Sequence, residues 1–433
     1  MACCSCPAAW RSDAALANAA DVFLSAGRTW RGCGKAAAGA AGMRGGMSGD
    51  IAIIGAGLGG LTCALALVRA GLRVAVYEQA PQLGEVGAGI TLSPNASRIM
   101  IHLGLEQGMR RLGVVPPRQL TQNLQTGKVL VERERGDGVE AQYGAPYLHL
   151  HRADLHALLA DALEAAQPGA VRLDHKLEAI ASDAEGVTMT FAGGKRAAAA
   201  LAVGADGVKS ATRDALFKTA PPQFTGQVAW RGVLPRAALP PEVQDLPPGI
   251  WIGEKRLFMR YPMRGWDLVN YAAFVNLEGW SEEGWAIPST IAELRSHYAD
   301  AEPMLLAMID ATPPDQLFKW ALHAREPLDS WTAGSVTLLG DAAHGMLPFM
   351  GQGAATAMED GLVLARCLIE FPKAEALQRY ESARRERTTM VQTQSRLLGL
   401  QFQGKDPESF GKGPILNEDT LGLFAYDAVT CPI

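Results

Sequence analysis

The sequence lacks any long apolar run, and no window approaches the roughly 18 consecutive apolar residues that span a bilayer. Neither sign of charge dominates, because 40 Lys and Arg residues face 45 Asp and Glu residues and the net charge is −5. Bulk attraction to nucleic acid or to an anionic membrane is therefore excluded. At 433 residues we expect a soluble protein with about two domains or lobes.

Cysteine is also scarce. Of seven cysteines, four lie in the first few dozen positions, and Cys63, Cys367 and Cys431 are far apart in sequence. This spacing argues against a disulfide framework and favours a reducing compartment, so we predict a cytoplasmic protein. No Cys or His cluster complements the Cys-Cys-Ser-Cys start, and we predict no metal site.

Residues 1–47 are rich in Ala, Gly, Arg and Cys and show no periodicity. A transit peptide is one interpretation, because the stretch is basic and poor in acidic residues. We favour a disordered leader, or translated upstream sequence with the working start at Met47. Residues 48–50 then lead directly into a first strand.

The segment from Ile51 onwards predicts a β-turn-α-β unit. Residues 51–54 form a short apolar run, residues 58–70 fit a helix that stops at Gly71, and residues 73–77 form a second strand. The short connections imply a parallel sheet, and hence an α/β fold.

A glycine loop, Gly55-x-Gly57-x-x-Gly60, joins that strand to that helix. Gly55 permits a tight turn, Gly57 lets a pyrophosphate approach the backbone, and Gly60 lets the helix pack on the strand. Glu78, about 20 residues on, can accept hydrogen bonds from ribose hydroxyls. The loop predicts a dinucleotide but does not distinguish NAD from FAD.

Further along, the pattern predicts a helix over 152–166 and a strand over 201–205. A hairpin of strands 257–261 and 267–274 follows in a β-rich middle segment. A strand over 335–339 and a helix from Gly353 to about Ile369 then return to the α/β pattern.

Two aspartates follow predicted strands. Asp206 comes after residues 201–205, where a carboxylate at the carboxyl edge of the sheet can meet a ligand, or can simply cap a helix. Asp341 comes after residues 335–339, about a dozen residues before the helix at Gly353, so a helix cap explains it less well. Asp341 can hold a sugar-like hydroxyl chain, and the helix amides can face the anionic edge of a reduced flavin.

The glycine loop, the Asp206-Gly207 motif and the Gly340-Asp341 motif occur here in the order found in one known family. The sequence resembles the single-component FAD-dependent aromatic hydroxylases, which include para-hydroxybenzoate hydroxylase, and is most similar to their salicylate hydroxylase-like branch. The resemblance covers residue 48 to the C-terminus. Four further stretches share it: residues 86–90, 93–96, 151–155 and 426–428.

The resemblance implies a Rossmann-type FAD-binding domain of the glutathione-reductase-like kind, and roles for several residues in it. Glu78 would bind the adenosine ribose, and Arg152 the pyrophosphate or a ribose. Asp341 would hold the ribityl chain, and Gly353 and Ala354 the isoalloxazine edge.

Gly89 and Asp206 complete the implied FAD set, and the Asp206 motif is associated in the family with the nicotinamide coenzyme as well. No second glycine loop is present, which fits NADH or NADPH as a transient co-substrate. The implied reaction reduces the flavin, adds dioxygen at C4a, and transfers one oxygen atom from the hydroperoxide to a small electron-rich aromatic or heteroaromatic ring. A salicylate- or hydroxybenzoate-like substrate is expected.

The domain boundaries predicted on this basis give a discontinuous FAD-binding domain with an inserted β-rich substrate lobe and C-terminal helices. The FAD-binding domain takes residues 48–118, 148–219 and 322–378. The substrate lobe takes residues 119–147 and 220–321, and a C-terminal helical segment takes 379–433.

The sequence offers two candidate catalytic residues at the substrate end of the site. Arg231 resembles an active-site arginine of this branch and suits a carboxylate or phenolate, although a structural ion pair is an equal alternative. Tyr261 lies on the predicted hairpin and is the second candidate catalytic residue. His344 is interpreted as mainly structural. Phe349 stands where some pyridine-ring hydroxylases of the branch have histidine.

Three alternatives remain open at this point. An NAD-dependent dehydrogenase would use the glycine loop directly, but it leaves Asp341 unexplained. A flavoprotein disulfide reductase would need a cysteine pair near Cys63, which stands alone. A flavin-binding protein without catalysis would carry the same FAD motifs. A monomer or a homodimer is expected.

Overall fold

A computed structural model describes residues 50–84, 89–183, 186–277, 279–280, 287–412 and 417–433. These residues all belong to one compact unit. The predicted leader over 1–47 lies outside the described residues, as do residues 86–88 of the family-like stretch. No helix in the described part of the chain is long and apolar enough to cross a bilayer.

The described residues contain two sets of regular elements. The strands are β1 (Ile51–Ile54), β2 (Val74–Tyr77), β3 (Gly89–Leu92), β4 (Arg118–Asn123), β5 (Val129–Glu134), β6 (Leu148–His151), β7 (Val171–Arg172), β8 (Leu177–Ser182), β9 (Val187–Phe191), β10 (Arg196–Ala199), β11 (Leu201–Gly204), β12 (Gln223–Pro235), β13 (Gly249–Gly253), β14 (Arg256–Met263), β15 (Leu268–Asn276), β16 (Ile287–Pro288), β17 (Phe318–Ala324), β18 (Thr332–Ala333) and β19 (Val336–Leu338). The helices are α1 (Leu58–Arg69), α2 (Pro94–His102), α3 (Glu106–Leu112), α4 (Asp137–Tyr143), α5 (Arg152–Ala166), α6 (Ala211–Leu216), α7 (Pro241–Gln244), α8 (Ile291–His297), α9 (Pro303–Asp310), α10 (Asp341–His344), α11 (Gly353–Glu370) and α12 (Lys373–Phe402).

The first sheet has the strand order β18-β19-β11-β1-β2-β7, and all its pairs except β18–β19 are parallel. Its central strands are short apolar runs buried on both faces, as parallel strands between two layers must be. One face packs on α1, α5 and α11, and the other on the three-stranded sheet β8–β10. The predicted α/β fold is therefore confirmed, with element ends within two residues of those expected.

The second large sheet has eight strands in the order β16-β17-β12-β15-β14-β13-β4-β5. The predicted hairpin is present as β14 and β15, where Tyr261 pairs with Asn270. Side chains of alternate residues point to opposite faces. One face, including Trp230 and Phe258, packs on helices α7 to α9. The other face, including Leu257, forms an apolar cluster with Phe349 of the FAD-binding side.

The long helix α12 crosses the predicted boundary between residues 378 and 379, and β17 crosses the one between 321 and 322. The expected C-terminal helical segment continues only to Phe402, because Gly404 and Pro407 disfavour further helix. Among the described residues beyond Phe402 there is one 3-10 turn, and the rest is turns and irregular chain. The remaining domain boundaries stay predictions.

Candidate active site

The glycine loop has the geometry that its three glycines were predicted to allow. Gly55 has φ +106°, and a Cβ there would lie 2.3 Å from the Ala205 carbonyl oxygen. A Cβ on Gly60 would lie 2.3 Å from the Gly55 carbonyl oxygen. A Cβ on Gly57 would meet nothing within 4 Å. Gly57 is also the N-cap of α1 and provides no side-chain cap, so the first amides of α1 are open to a phosphate.

Glu78 lies at the end of β2, beside the glycine loop. Its two carboxylate oxygens accept hydrogen bonds from the amides of Ala56 and Ala80, each at 2.9 Å. His156 of α5 contacts the same turn, with Nε2 at 2.6 Å from the Ala56 carbonyl oxygen. Glu78 is thus oriented at the loop, and each oxygen retains a lone pair. Its contact with a ribose remains a prediction.

Asp206 uses both carboxylate oxygens within its own turn. It accepts hydrogen bonds from Ser210 Oγ at 2.5 Å and from the amide and hydroxyl of Thr212 at 2.9 and 3.0 Å. These contacts hold the turn that leads into α6, whose N-cap is Ser210 and not Asp206. The contact of Asp206 with the cofactor stays a prediction. Arg213, fully buried next to it, donates to the Ala342 carbonyl and so ties this turn to the Gly340-Asp341 motif.

Asp341 is the first residue of the short helix α10, which the sequence pattern did not predict; the N-cap of α10 is Gly340, and no side chain caps it. Its side chain is exposed and makes no hydrogen bond with the described residues. His344, at the end of α10, has Nε2 at 2.5 Å from Asp360, which also accepts the Gly340 amide at 3.0 Å. His344 is therefore structural, as predicted, and it fixes the turn that presents Asp341.

Helix α11 begins at Gly353 without a side-chain cap. The preceding Gln352 is buried, and its amide group bonds Asn95 and Ser93, each at 3.1 Å, rather than the helix amides. The first amides of this 18-residue helix, at Gly353 and Ala354, are thus available to an anionic ligand edge.

Two further predicted FAD residues lie at element ends. Arg152 begins α5 and is exposed. Gly89 donates its amide to Asn270 Oδ1 at 3.0 Å, and a Cβ there would lie 2.3 Å from the Tyr261 ring. Gly89 therefore brings the FAD-binding side against the substrate sheet.

The residues fit FAD. The open space at Gly57, the exposed Asp341 carboxylate and the uncapped start of α11 offer sites for a pyrophosphate, a ribityl chain and an anionic flavin edge, respectively. Whether each of these residues touches the cofactor stays a prediction.

A cavity of about 570 Å³ lies between the 348–352 turn, the substrate sheet and the C-terminal segment. The side chains that concern the chemistry are at its wall: Thr91, Arg133, Arg135, Tyr147, His149, Tyr261, Phe349, Glu418 and Phe424. The cavity thus meets residues directly before the start of α11.

Three aromatic side chains form one wall of this cavity. The rings of His149 and Tyr261 stack, with centroids 4.5 Å apart and planes 19° apart, and Tyr147 meets His149 edge-on at 5.4 Å. Thr91 Oγ1 lies 3.3 Å from His149 Nδ1. Burial, with a contribution from Arg135, lowers the pKa of His149 to about 3. His149 is therefore a neutral imidazole at pH 7.

Of the two candidate catalytic residues, Tyr261 lines the cavity and Arg231 does not. Burial raises the pKa of the Tyr261 phenol well above 10, with a further increase from Tyr147 and a partial opposing effect from Arg231. Tyr261 is therefore protonated at neutral pH. The Arg231 guanidinium lies over the Trp320 ring, 5.2 Å from its centroid, and Arg231 is not among the cavity-lining residues.

Sequence reasoning missed Tyr147, His149, Arg135 and Glu418. His149 lies on β6, outside the hairpin that the sequence predicted for the substrate side. Alternation in Leu148-His149-Leu150-His151 places His149 and His151 on one face of a strand, which was the available signal. Glu418 reaches the cavity only through tertiary folding of the C-terminal segment.

Comparison with known proteins identifies the family. Residues 48–395 match the FAD binding domain family. The chain is 39% identical over 349 residues to 6-hydroxynicotinate 3-monooxygenase of Bordetella bronchiseptica, covering 79% of this chain and 89% of the relative. It is 34% identical over 385 residues to 3-hydroxybenzoate 6-hydroxylase of Polaromonas naphthalenivorans, covering 88% and 94%.

Among solved structures, HpxO of Klebsiella pneumoniae in complex with FAD and uric acid superposes with a TM-score of 0.74 at 27% identity, covering 82% of this chain and 89% of that one. The two sequence relatives are a monooxygenase and a hydroxylase by name, and the solved structure contains FAD. Together with the FAD binding domain match, this sets aside the dehydrogenase and disulfide reductase alternatives. The chain belongs to the single-component FAD-dependent aromatic hydroxylase family and is a flavoprotein monooxygenase.

Proposed function

We propose that this monooxygenase hydroxylates a small aromatic or heteroaromatic ring that carries a hydroxyl group and a carboxylate. The observation that carries the proposal is the cavity next to the start of α11, whose wall combines aromatic rings with the guanidinium groups of Arg133 and Arg135. The relatives named above act, by name, on hydroxynicotinate and hydroxybenzoate. A volume of about 570 Å³ is sufficient for one such ring.

Bound FAD supplies the activation of dioxygen and the transfer of one oxygen atom to the ring. The protein's own contribution begins with Tyr261, whose protonated phenol donates a hydrogen bond to the oxygen substituent of the ring. This bond stabilises negative charge on that oxygen, which makes the ring more electron-rich. The neutral His149 ring holds Tyr261 in place by stacking on it.

Arg231 acts on the same oxygen indirectly. Its charge opposes the rise in the Tyr261 pKa and so makes the phenol a stronger hydrogen-bond donor. The apolar residues around Phe349 exclude water from the reacting ring, as this chemistry requires. NADH or NADPH is the proposed reductant, without a dedicated second glycine loop. A cytoplasmic monomer or homodimer remains our expectation.

The test is a screen of purified, FAD-loaded protein for substrate-stimulated NADH and NADPH oxidation with hydroxylated benzoates, nicotinates and quinoline carboxylates. The product is then analysed for each compound that stimulates coenzyme oxidation. We expect stimulation together with a product heavier by one oxygen atom from labelled dioxygen. FAD-loaded protein that oxidises neither coenzyme faster with any ring would instead support flavin binding without catalysis.

A further inference from the structure

The hairpin of β4 and β5 places two arginines at the cavity wall, on the same face of the sheet. Arg133 pairs with Gln119 across the hairpin, and Arg135 follows two residues later. Arg135 is 6% exposed, and its Nε donates to Gln119 Oε1 at 3.2 Å. Its guanidinium also lies over the Tyr147 ring, 5.0 Å from the centroid. Arg135 is thus held in place on two sides.

One carboxylate serves both arginines. Glu418, from the C-terminal segment, accepts a hydrogen bond from Arg133 Nη1 at 2.7 Å and is paired with Arg135 Nη1. Burial opposes ionisation of Glu418, but the two guanidinium groups lower its pKa overall. Two positive charges therefore meet a single negative charge, and the cluster retains a net positive charge.

Arg135 retains hydrogen-bonding capacity at the cavity. Its Nε and Nη1 bond Gln119, Glu418 and the Glu134 carbonyl, and a side-chain hydrogen bond joins it to Tyr147. A guanidinium carries five N–H groups, so these partners leave at least one N–H for a carboxylate oxygen.

The charged residues that line the cavity are positive on balance. Its described lining includes four cationic residues, Arg133, Arg135, Arg260 and Lys405, and two acidic residues, Asp406 and Glu418. The balance of charge at the wall is therefore positive and favours an anionic ligand.

Arg135 is connected to Tyr261 through contacting rings. Tyr147 lies under the guanidinium, His149 meets Tyr147 edge-on at 5.4 Å, and Tyr261 stacks on His149 at 4.5 Å. A ring lying along this wall presents one end to a cation and the other to a phenol donor. That arrangement matches a ring with a carboxylate at one end and a hydroxyl at the other.

We propose that Arg135 is the carboxylate anchor of the substrate, and that Glu418 occupies the arginine pair as an internal counter-ion which the substrate carboxylate partly replaces. The inference rests on the proposed function and assigns to Arg135 the anion-binding role that the sequence suggested for Arg231. The preference for a carboxylated ring is then a property of the β4–β5 hairpin.

The test measures ligand binding to FAD-loaded protein from the change in flavin absorbance, without turnover. The probes are two pairs that differ only in charge: 3-hydroxybenzoate with 3-hydroxybenzamide, and 6-hydroxynicotinate with 6-hydroxynicotinamide. In Arg135→Gln we expect the Kd of a carboxylate to rise about 10- to 100-fold, the effect of a lost charged hydrogen bond, and the Kd of its amide to change less than about threefold. Glu418 keeps Arg133 as a partner in this variant.

Two variants control the experiment. Arg118→Gln removes an exposed arginine of the same hairpin, paired with Glu132 at 3.0 Å, and should leave every Kd unchanged. Glu418→Gln removes the competing anion and should lower the Kd of the carboxylates alone. A gain of affinity is an effect that damage to the fold does not produce, so this variant decides the question even where Arg135→Gln folds poorly.

Equal weakening of both members of a pair by Arg135→Gln would overturn the proposal, as would weaker carboxylate binding in Glu418→Gln. Wild-type protein that binds neither carboxylate more tightly than its matching amide would also overturn the proposal. That result would not exclude hydroxylation of a neutral ring. Failure of the proposed function is recognised separately, because it shows as the absence of oxygen insertion into any ring.

Discussion

Burial sets the protonation state of the two polar rings that stack in the cavity wall. It raises the pKa of the Tyr261 phenol and lowers that of His149 to about 3. At neutral pH neither ring is charged, so Tyr261 is a hydrogen-bond donor and does not serve as a phenolate base. The charged side chain at this wall is therefore Arg135, which lies over the Tyr147 ring at the end away from Tyr261.

Replacing Tyr261 by Phe removes that donor and keeps the ring. We expect kcat for coupled hydroxylation to fall about 10- to 100-fold, because a hydrogen bond to a developing negative charge contributes about 1.5–3 kcal/mol. The measurement is product formation at saturating substrate, with FAD content determined for each protein. Tyr271→Phe is the matched control: its hydroxyl bonds Thr312 at 2.9 Å on the opposite face of the sheet. Equal kcat in wild type and Tyr261→Phe would refute the role.

Replacing His149 by Gln should change how stability depends on pH. An unfolded histidine binds a proton below about pH 6.5, whereas folded His149 does so only near pH 3. Since the unfolded state then binds more protons, stability decreases as the pH is lowered through this window, by up to about 1.4 kcal/mol per pH unit. Between pH 6.5 and pH 5 we expect the wild type to lose about 2 kcal/mol that the variant does not lose.

Urea unfolding of both proteins at pH 7.5, 6.5 and 5 measures this difference. His323→Gln controls for the loss of a histidine as such, because that side chain is exposed. Parallel stability–pH curves for wild type and His149→Gln would show that burial does not suppress protonation of His149.

At the scale of the element, two glycines of the loop serve different purposes: Gly60 is required for packing of the fold, and Gly57 leaves space for the cofactor. A Cβ on Gly57 meets no protein atom within 4 Å, whereas one on Gly60 would lie 2.3 Å from the Gly55 carbonyl oxygen. We expect Gly57→Ala to weaken FAD binding at least about tenfold while costing the apoprotein less than about 1 kcal/mol. Gly60→Ala should cost the apoprotein about 1–3 kcal/mol, because the helix must move from the strand.

FAD titration of apoprotein, with urea unfolding of the same preparation, distinguishes the two variants. The interpretation of Gly57 fails if its alanine variant binds FAD as tightly as the wild type. A Gly60→Ala apoprotein as stable as the wild type would contradict the close packing of α1 on the loop.

Elements with strong local signals were predictable. The strand Ile51–Ile54 and the helix Arg152–Ala166 follow from apolar runs and helical spacing, and they lie where the sequence indicates. The helical turn at Asp341 was missed, because four residues carry no periodicity and its stability comes from the buried bond between His344 and Asp360. The local sequence pattern thus predicted the main strands and helices, but not the tertiary contacts that hold short elements such as α10.

The substrate wall was largely unpredictable for a related reason. Tyr261 was found because it lies on a recognisable hairpin. Arg135 and Glu418 are far apart in sequence and become partners only when the C-terminal segment folds back over β5. Such a pairing leaves no trace in composition or spacing, because it is a contact between residues distant in sequence.

At the scale of the whole molecule, the C-terminal segment forms one wall of the cavity, and the FAD-binding side and the substrate sheet form the others. Leu423 and Phe424 line the cavity, and Phe424 contacts Tyr147 at a ring distance of 5.8 Å. Arg98 of α2 holds this segment by donating to the carbonyls of Tyr426 at 2.8 Å and Phe424 at 3.5 Å, as well as to Tyr143 at 2.5 Å. The FAD-binding side thereby fixes a wall of the substrate site.

Replacing Arg98 by Met keeps the apolar stem and removes these charged hydrogen bonds, each of which contributes about 1.5–3 kcal/mol when buried. We expect amide hydrogen exchange over residues 417–433 to become about 10- to 100-fold faster, while α12 is unchanged. Water then reaches the reacting ring more often, so a larger share of NAD(P)H should be oxidised without product. Arg110→Met, which removes an exposed pair with Glu140, should change neither measurement. Unchanged exchange in Arg98→Met would mean that packing of Phe424 alone holds the segment. Faster exchange with an unchanged share of NAD(P)H oxidised without product would show that this segment does not protect the reaction from water.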